Sequence, residues 1–281
     1  MGMSKFENLY GGFLVGLVLS AIVFGVVTVQ AWLYYCTYPK DSPVARSSVG
    51  FLWLVQAFQV VTVAYVVYDA GIMKFGYLLE DTKWYHTMYP LVTTISSVTV
   101  QFYFIHRLRK LGQSEWVPLL LTIMTLAQLA MGLVICIHMN INHGIYNLIP
   151  ILKPFLIAWL TIEAGSDVII AFSMCYFLRK SCTGFRSTDS MIRVLMIYAI
   201  NTGMLTTVMA MAVMFTYTFY GLHFVNLIFL LPLGGVYTAS LLSNLHSRST
   251  LQRRLRTVEE HGTSIHLSRL PPKVRVYFTL D

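Results

Sequence analysis

Read for hydrophobic and polar positions alone, the chain falls into seven long apolar stretches divided by short polar breaks. They cover approximately 11–36, 47–72, 86–107, 116–138, 151–178, 189–219 and 222–244. Each reaches the about 20 predominantly apolar residues that a helix needs to cross a bilayer. The breaks carry turn residues, most clearly "CTYPKDSPVARSS" (36–48) and "KSCTGFRSTDS" (180–190). In the second, "STDS" offers an N-cap for the sixth helix, and Asp189 with Arg193 offers an i,i+4 pair. The weakest break is "YGLH" (220–223), which has no strong charge. The expected architecture is an all-α membrane protein: a seven-helix membrane domain over residues 1–244 and a tail over 245–281. No inverted or tandem repeat of the transporter kind is visible.

Composition supports that class: of 281 residues, 56% are hydrophobic and 11% charged, with a mean hydropathy of +0.65. Soluble domains carry about 25% charged residues. Charge adds an orientation. Sixteen of the 20 Lys and Arg fall in the first, third and fifth connections and the tail, leaving Lys5, Lys74, Lys83 and Lys153 on the other side. Cytoplasmic loops are the Lys/Arg-rich ones, so the N-terminus is expected outside and the C-terminus in the cytoplasm. The net charge of +8 then reads as topology and contact with anionic lipid, and not as nucleic-acid binding. Arg248, Arg253, Arg254 and Arg256 follow the last span, where each gains about 1 kcal/mol from an anionic leaflet. Membrane lipids are thus the expected partners, and a cytoplasmic signalling protein is compatible with the same basic surface. The expected location is multi-pass, in the plasma membrane or the endoplasmic reticulum.

The first apolar run is too long for a signal-peptide core and is read as the first span. The Met-Gly start is followed by Phe6, which breaks the myristoylation pattern. Cys36, Cys175 and Cys182 are placed near the inner face and Cys136 near the outer, so no extracellular disulfide is expected; Cys182 reads as a plain thiol ahead of a palmitoylation site.

Against this apolar background one stretch stands out: "LTIEAGSDVIIAF" (160–172) places Glu163 and Asp167 one helical turn apart at the middle of the fifth span. Two central acids cost about 5–7 kcal/mol on the insertion scale, and the Leu, Ile, Phe and Val of 151–178 return about 4–8. The span therefore needs a bundle interior, a wet cavity or a proton to keep the acids from lipid. The two carboxyls are expected to share a proton at neutral pH and titrate as one unit. Small Ala164–Ser166 offer close approach to another helix, and Asn201 and Thr202 of the sixth span are candidate partners at similar depth. Gln56 and Gln59 lie one turn apart in the second span, with Tyr65 and Asp69 nearer its outer end. Glu163, Asp167, Asn201, Gln56, Gln59 and Asp69 form the candidate ligand-binding set. Gln101 and Gln128 read as interhelical clasps. His138 and His143 lack a third ligand, so neither a metal nor a cofactor is expected.

The stretch "DVIIAFSMCYFLRKSCTGFRSTDSMIRVLMIYAINTG" (167–203) resembles an uncharacterised family of seven-helix membrane proteins expanded in mushroom-forming fungi, catalogued as a domain of unknown function. "TGFRSTDS" and "YAINTG" carry the resemblance, and "YPKDS" and "VYTASLLSNLHSR" extend it over most of the chain. Ala239 and His246 depart from it, standing where relatives are expected to have Asn. The resemblance implies the seven-helix fold and a fungal membrane protein, and it brings no activity.

Three functions fit these residues. A receptor-like protein accounts for seven spans, an outside N-terminus and basic inner loops, although the third span ends "FIHRLRK" without Asp-Arg-Tyr and the seventh has no Asn-Pro-x-x-Tyr. A retinal pigment is disfavoured because 222–244 holds no Lys. An intramembrane enzyme acting on a lipid or isoprenoid, such as a proton-initiated terpene cyclase, would use Glu163, Asp167 and Asp69 as acids. A proton or small-solute pathway would use the same groups.

Overall fold

Apolar segments in lipid must satisfy their backbone internally, which leaves the helix as the simplest choice. In the computed structural model the described residues are 2–39, 41–73, 83–111, 115–141, 145–180, 186–220 and 224–260; within them, side chains are described except at 2–9, 111, 145–150, 186–196, 198, 199, 202, 220, 224 and 247–260. These residues form seven α-helices, and no strand occurs among them. They are α1 (Gly2–Thr37), α2 (Pro43–Tyr68), α3 (Trp84–Leu111), α4 (Trp116–Ile141), α5 (Ile145–Lys180), α6 (Arg186–Tyr220) and α7 (Phe224–Glu260). A π-helical turn, Asp69–Met73, prolongs α2.

Each expected stretch corresponds to one helix, the second completed by the π-turn and the seventh starting at Phe224, and most helices overrun their stretch. The largest overrun is α7, which continues to Glu260 although its apolar part ends at His246. The side chains of Arg248, Arg253, Arg254 and Arg256, like the segments holding Lys74, His143 and Cys182 and the tail from 261, lie outside the described residues. α6 begins at Arg186, so 187–190 form its first turn instead of preceding it as a cap. The turn before α2 does use a cap. Ser42 accepts a hydrogen bond from the Ala45 amide at 3.3 Å, and Pro43 opens the helix with its fixed φ. Around it, Tyr34 donates to Asp41, Arg46 donates to the Pro39 carbonyl at 2.9 Å, and the Arg46 guanidinium lies 5.7 Å from the Tyr35 ring centroid. "YPKDS" is in this way the hinge that folds α2 back on α1.

The helices pack in chain order into a ring, each on the next, and α7 closes it on α1. Across the ring α3 meets α5 and α7. Five helices are long and apolar enough to cross a membrane, which supports a multi-pass integral membrane protein. They are not equivalent. In the apolar window of α7, 78% of residues are buried, against 28–39% in the other four, so α7 is the most enclosed of the five. α3 falls short in hydropathy because its inner face carries Thr93, Thr94, Ser96, Ser97 and Gln101, all buried. Enclosed by α2, α4, α5 and α7, that face has no lipid to meet. For α6, the described apolar part is Gly203–Phe219.

Small residues set the tightest approaches. A Cβ on Gly132 of α4 would lie 2.5 Å from Thr94 Oγ1, and one on Gly235 of α7 would lie 2.7 Å from Val23 of α1. The expected approach at Ala164–Ser166 is looser: a Cβ on Gly165 would meet only Met124, at an ordinary 3.6 Å. Cys36, Cys136 and Cys175 are free thiols.

Candidate functional site

The acid pair lies inside the ring. On α5, Trp159, Glu163, Ser166, Asp167, Ile170, Met174 and Leu178 recur at three- and four-residue spacing and are all buried. Glu163 is 0% exposed and Asp167 6%. Both are turned away from lipid, as a charge-bearing residue in a span requires.

The two carboxyls are served very differently. Asp167 Oδ2 accepts a hydrogen bond from the Tyr237 hydroxyl of α7 at 2.6 Å, and Thr206 of α6 and Gln101 of α3 are further polar neighbours. Among the described residues neither oxygen of Glu163 has a hydrogen bond of ordinary geometry. Its polar neighbours are Ser97 of α3 and Tyr237; Ser97 Oγ also lies 3.1 Å from the Thr94 carbonyl, and the Tyr237 hydroxyl lies 2.6 Å from Asp167 Oδ2. The indole N–H of Trp159, one turn earlier on the same face, is also buried without a hydrogen bond. An ionised carboxylate with no donor costs several kcal/mol in such surroundings, so the site as built suits a neutral acid.

A cavity of about 30 Å³ reaches Asp167. Gln101, Thr206, Tyr237 and Ser240 provide its polar wall, and Val100, Phe104, Ile170 and Met174 the apolar one. It extends from Asp167 along the C-terminal halves of α3 and α5; Glu163 does not line it. Its volume exceeds the about 10–15 Å³ that one water requires and is an order of magnitude below the about 300–1,000 Å³ of drug-sized ligand pockets.

A polar seam surrounds the pair and holds the helices in register. Gln101 Nε2 donates to Ser166 Oγ and Gln128 Nε2 to Ser97 Oγ, each at 2.8 Å, so both glutamines clasp helices together. Gln56 Nε2 donates to Ser96 Oγ at 2.8 Å and Gln59 Nε2 to the Leu231 carbonyl at 2.7 Å. These two expected ligand contacts therefore point into α3 and α7. Gly234 leaves room for them: a Cβ there would lie 3.1 Å from Gln59 Oε1 and 3.2 Å from Gln56 Nε2.

Asn201 lies on the exposed face of α6, away from the acids. The polar residue that α6 supplies is Thr206, five positions on and buried. An α-helix turns about 100° per residue, so position 201 points well away from 206. Asp69 is remote from the pair in sequence and setting. It is buried in the π-turn and accepts a hydrogen bond from Tyr85 Oη at 2.6 Å. His138 stacks on Phe155 with ring centroids 5.9 Å apart. Arg107, counted above with a cytoplasmic connection, is buried at the end of α3.

Sequence reasoning missed Tyr237, Thr206 and Ser97. Tyr237 was hidden among 17 tyrosines, with interfacial belts the default use. Its register offered a signal: Gly234, Tyr237 and Leu241 lie on one face of α7, within the largely buried stretch 230–242.

Residues 163–250 match a family described as a family of unknown function (DUF6534). The match starts at Glu163 itself and spans the acid pair, α6 and the apolar part of α7. No curated protein matches the chain.

Proposed function

We propose that the chain is a receptor-like seven-helix integral membrane protein, N-terminus outside and C-terminus cytoplasmic, whose intramembrane centre at Glu163 and Asp167 responds to proton occupancy. The supporting observation is Glu163: fully buried, without a hydrogen bond of ordinary geometry, and one turn from a second acid that has one. Each of the four glutamines makes one amide-donor bond to a neighbouring helix, whereas neither Glu163 oxygen has a bond of ordinary geometry among the described residues. Gain or loss of one proton changes the charge that α3, α5, α6 and α7 must enclose, which biases how they pack. The 30 Å³ cavity favours a ligand of this size over a bulky one. The likeness of "TGFRSTDS" and "YAINTG" to fungal seven-helix proteins supports the span count and a fungal source, and the basic cytoplasmic connections suit a signalling partner.

The test is infrared spectroscopy of the protein in lipid while pH is stepped. The wild type is expected to show a carboxylic C=O band that changes with pH and disappears in Glu163→Gln. A pH-insensitive spectrum in a correctly folded sample leaves only a structural role for the pair. A second reading, a proton pathway, draws on the cavity at Asp167; protons crossing sealed proteoliposomes would favour it over a switch.

A further inference from the structure

Glu163 is sealed, yet the pair would respond to pH only if its proton can reach water. Two polar routes leave it, and they differ in where their protons point. Toward the N-terminal half of α3, each hydroxyl proton is held by a backbone carbonyl: Ser97 to Thr94 at 3.1 Å, Thr94 to Pro90 at 2.8 Å and Thr93 to Tyr89 at 2.9 Å. A carbonyl has no proton to pass on, so each hydroxyl on this route must leave its carbonyl before a proton can move along it. Toward α7 the neighbouring hydroxyl is that of Tyr237, whose proton is directed at a carboxyl oxygen 2.6 Å away. That carboxyl, Asp167, and Tyr237 itself both line the cavity. Among the described residues the ionisable neighbours of Glu163 are Asp167 on its own helix and Tyr237 on α7, while α3 faces it with uncharged Ser97.

We propose that Tyr237 is a proton relay joining Glu163 to Asp167 and the cavity, so that the buried acid exchanges its proton with one end of the bundle only. The inference rests on the proton-responsive reading above. In the relay step the Tyr237 Oη–H bond breaks as its proton joins Asp167 Oδ2, and the Glu163 O–H bond breaks as its proton joins Tyr237 Oη. The phenol is regenerated, Glu163 becomes the carboxylate and Asp167 the acid. Asp167 then releases the proton to a water, for which the cavity has room. Tyr237 bonds Asp167, neighbours Glu163 and contributes no net charge. Its role is positional and kinetic: it governs the rate of exchange while leaving the number of protons held unchanged.

The experiment follows the Glu163 carboxylic C=O band, assigned by its loss in Glu163→Gln, after transfer of membrane-reconstituted protein from H2O to D2O. Tyr237→Phe is expected to retain the band and slow its deuterium shift by about tenfold or more. Ser240→Leu, which fills the cavity from α7 without touching the acids' hydrogen bond, is expected to slow it as well and serves if Tyr237→Phe does not fold. Thr94→Val, on the other route, is expected to exchange at the wild-type rate. Wild-type exchange in folded Tyr237→Phe or Ser240→Leu overturns the relay, as does slowing by Thr94→Val equal to that of Tyr237→Phe. A wild type without the Glu163 band overturns the proton-responsive reading as well, so the two failures are distinguishable.

Discussion

Two buried aspartates in this protein accept the same bond. Asp69 and Asp167 are 7% and 6% exposed, and each takes a tyrosine hydroxyl on Oδ2 at 2.6 Å. Their surroundings differ. Asp69 occupies the π-turn at the end of α2, where the Tyr10 side chain packs over Gly71, the Tyr65 ring meets Tyr85 edge-on at 5.1 Å, and Lys83 Nζ lies 5.9 Å from the Tyr85 ring centroid. A lysine thus stands beside the tyrosine that bonds Asp69. Asp167 sits mid-helix with a second acid one turn away and no cation among its described neighbours. The same Asp–Tyr bond thus fastens α2 to α3 at the first site and leaves the second with charge still to be balanced. A hydrogen bond alone does not identify a functional acid; the company it keeps does.

That contrast can be broken by substitution, read in detergent-solubilised protein by thermal or chemical unfolding. The largest effect is expected from Asp167→Ala. It removes the acceptor of a buried phenol and leaves a gap among four helices, and the expected loss is about 3 kcal/mol. If the variant unfolds at the wild-type midpoint, the Tyr237 bond is not part of what holds α5 to α7. Next comes Glu163→Met, with the opposite sign. Exchanging an unsatisfied buried acid for an apolar side chain of similar size is expected to stabilise by about 2 kcal/mol while abolishing the pH response. A destabilised Glu163→Met would show that the carboxyl makes a bond the fold depends on. The smallest effect belongs to the other site: Tyr85→Phe is expected to cost about 1 kcal/mol and to leave the Glu163 infrared band and its exchange rate untouched. A change in that band would mean that the two centres are coupled through α3, contrary to their separation.

Much of the fold was legible because a bilayer leaves few options. Long apolar runs with few interruptions favour helices, and each of the seven stretches corresponds to a helix, five of them long and apolar enough to cross a membrane. The acid pair was legible for the same reason: Glu163 and Asp167 are costly where they stand and had to face inward. What could not be read was who faces them. Asn201 is as polar as Thr206, and only the rotation of α6 about its axis decides that the threonine is inside and the asparagine outside. That rotation is fixed by contacts of α6 with α5 and α7, which sequence spacing does not encode. The same holds for Gln56 and Gln59, whose polarity suggested a ligand and whose amides instead reach Ser96 and Leu231. His246 departs from the expected Asn yet still bonds across the ring, with Nε2 2.8 Å from the Gln30 carbonyl.

The contact between α1 and α7 has a consequence for how the chain assembles. Gln30 Nε2 donates to Ser243 Oγ at 3.2 Å and Tyr38 Oη donates to the Leu245 carbonyl at 3.3 Å, pairs more than 200 residues apart. During synthesis the first helix enters the membrane long before the last, and Gln30 must wait in lipid or borrow another partner until α7 arrives. Closure of the ring therefore waits for α7, and a nascent chain stalled short of Ser243 would present quality-control machinery with an open seam and a glutamine that lacks its Ser243 partner.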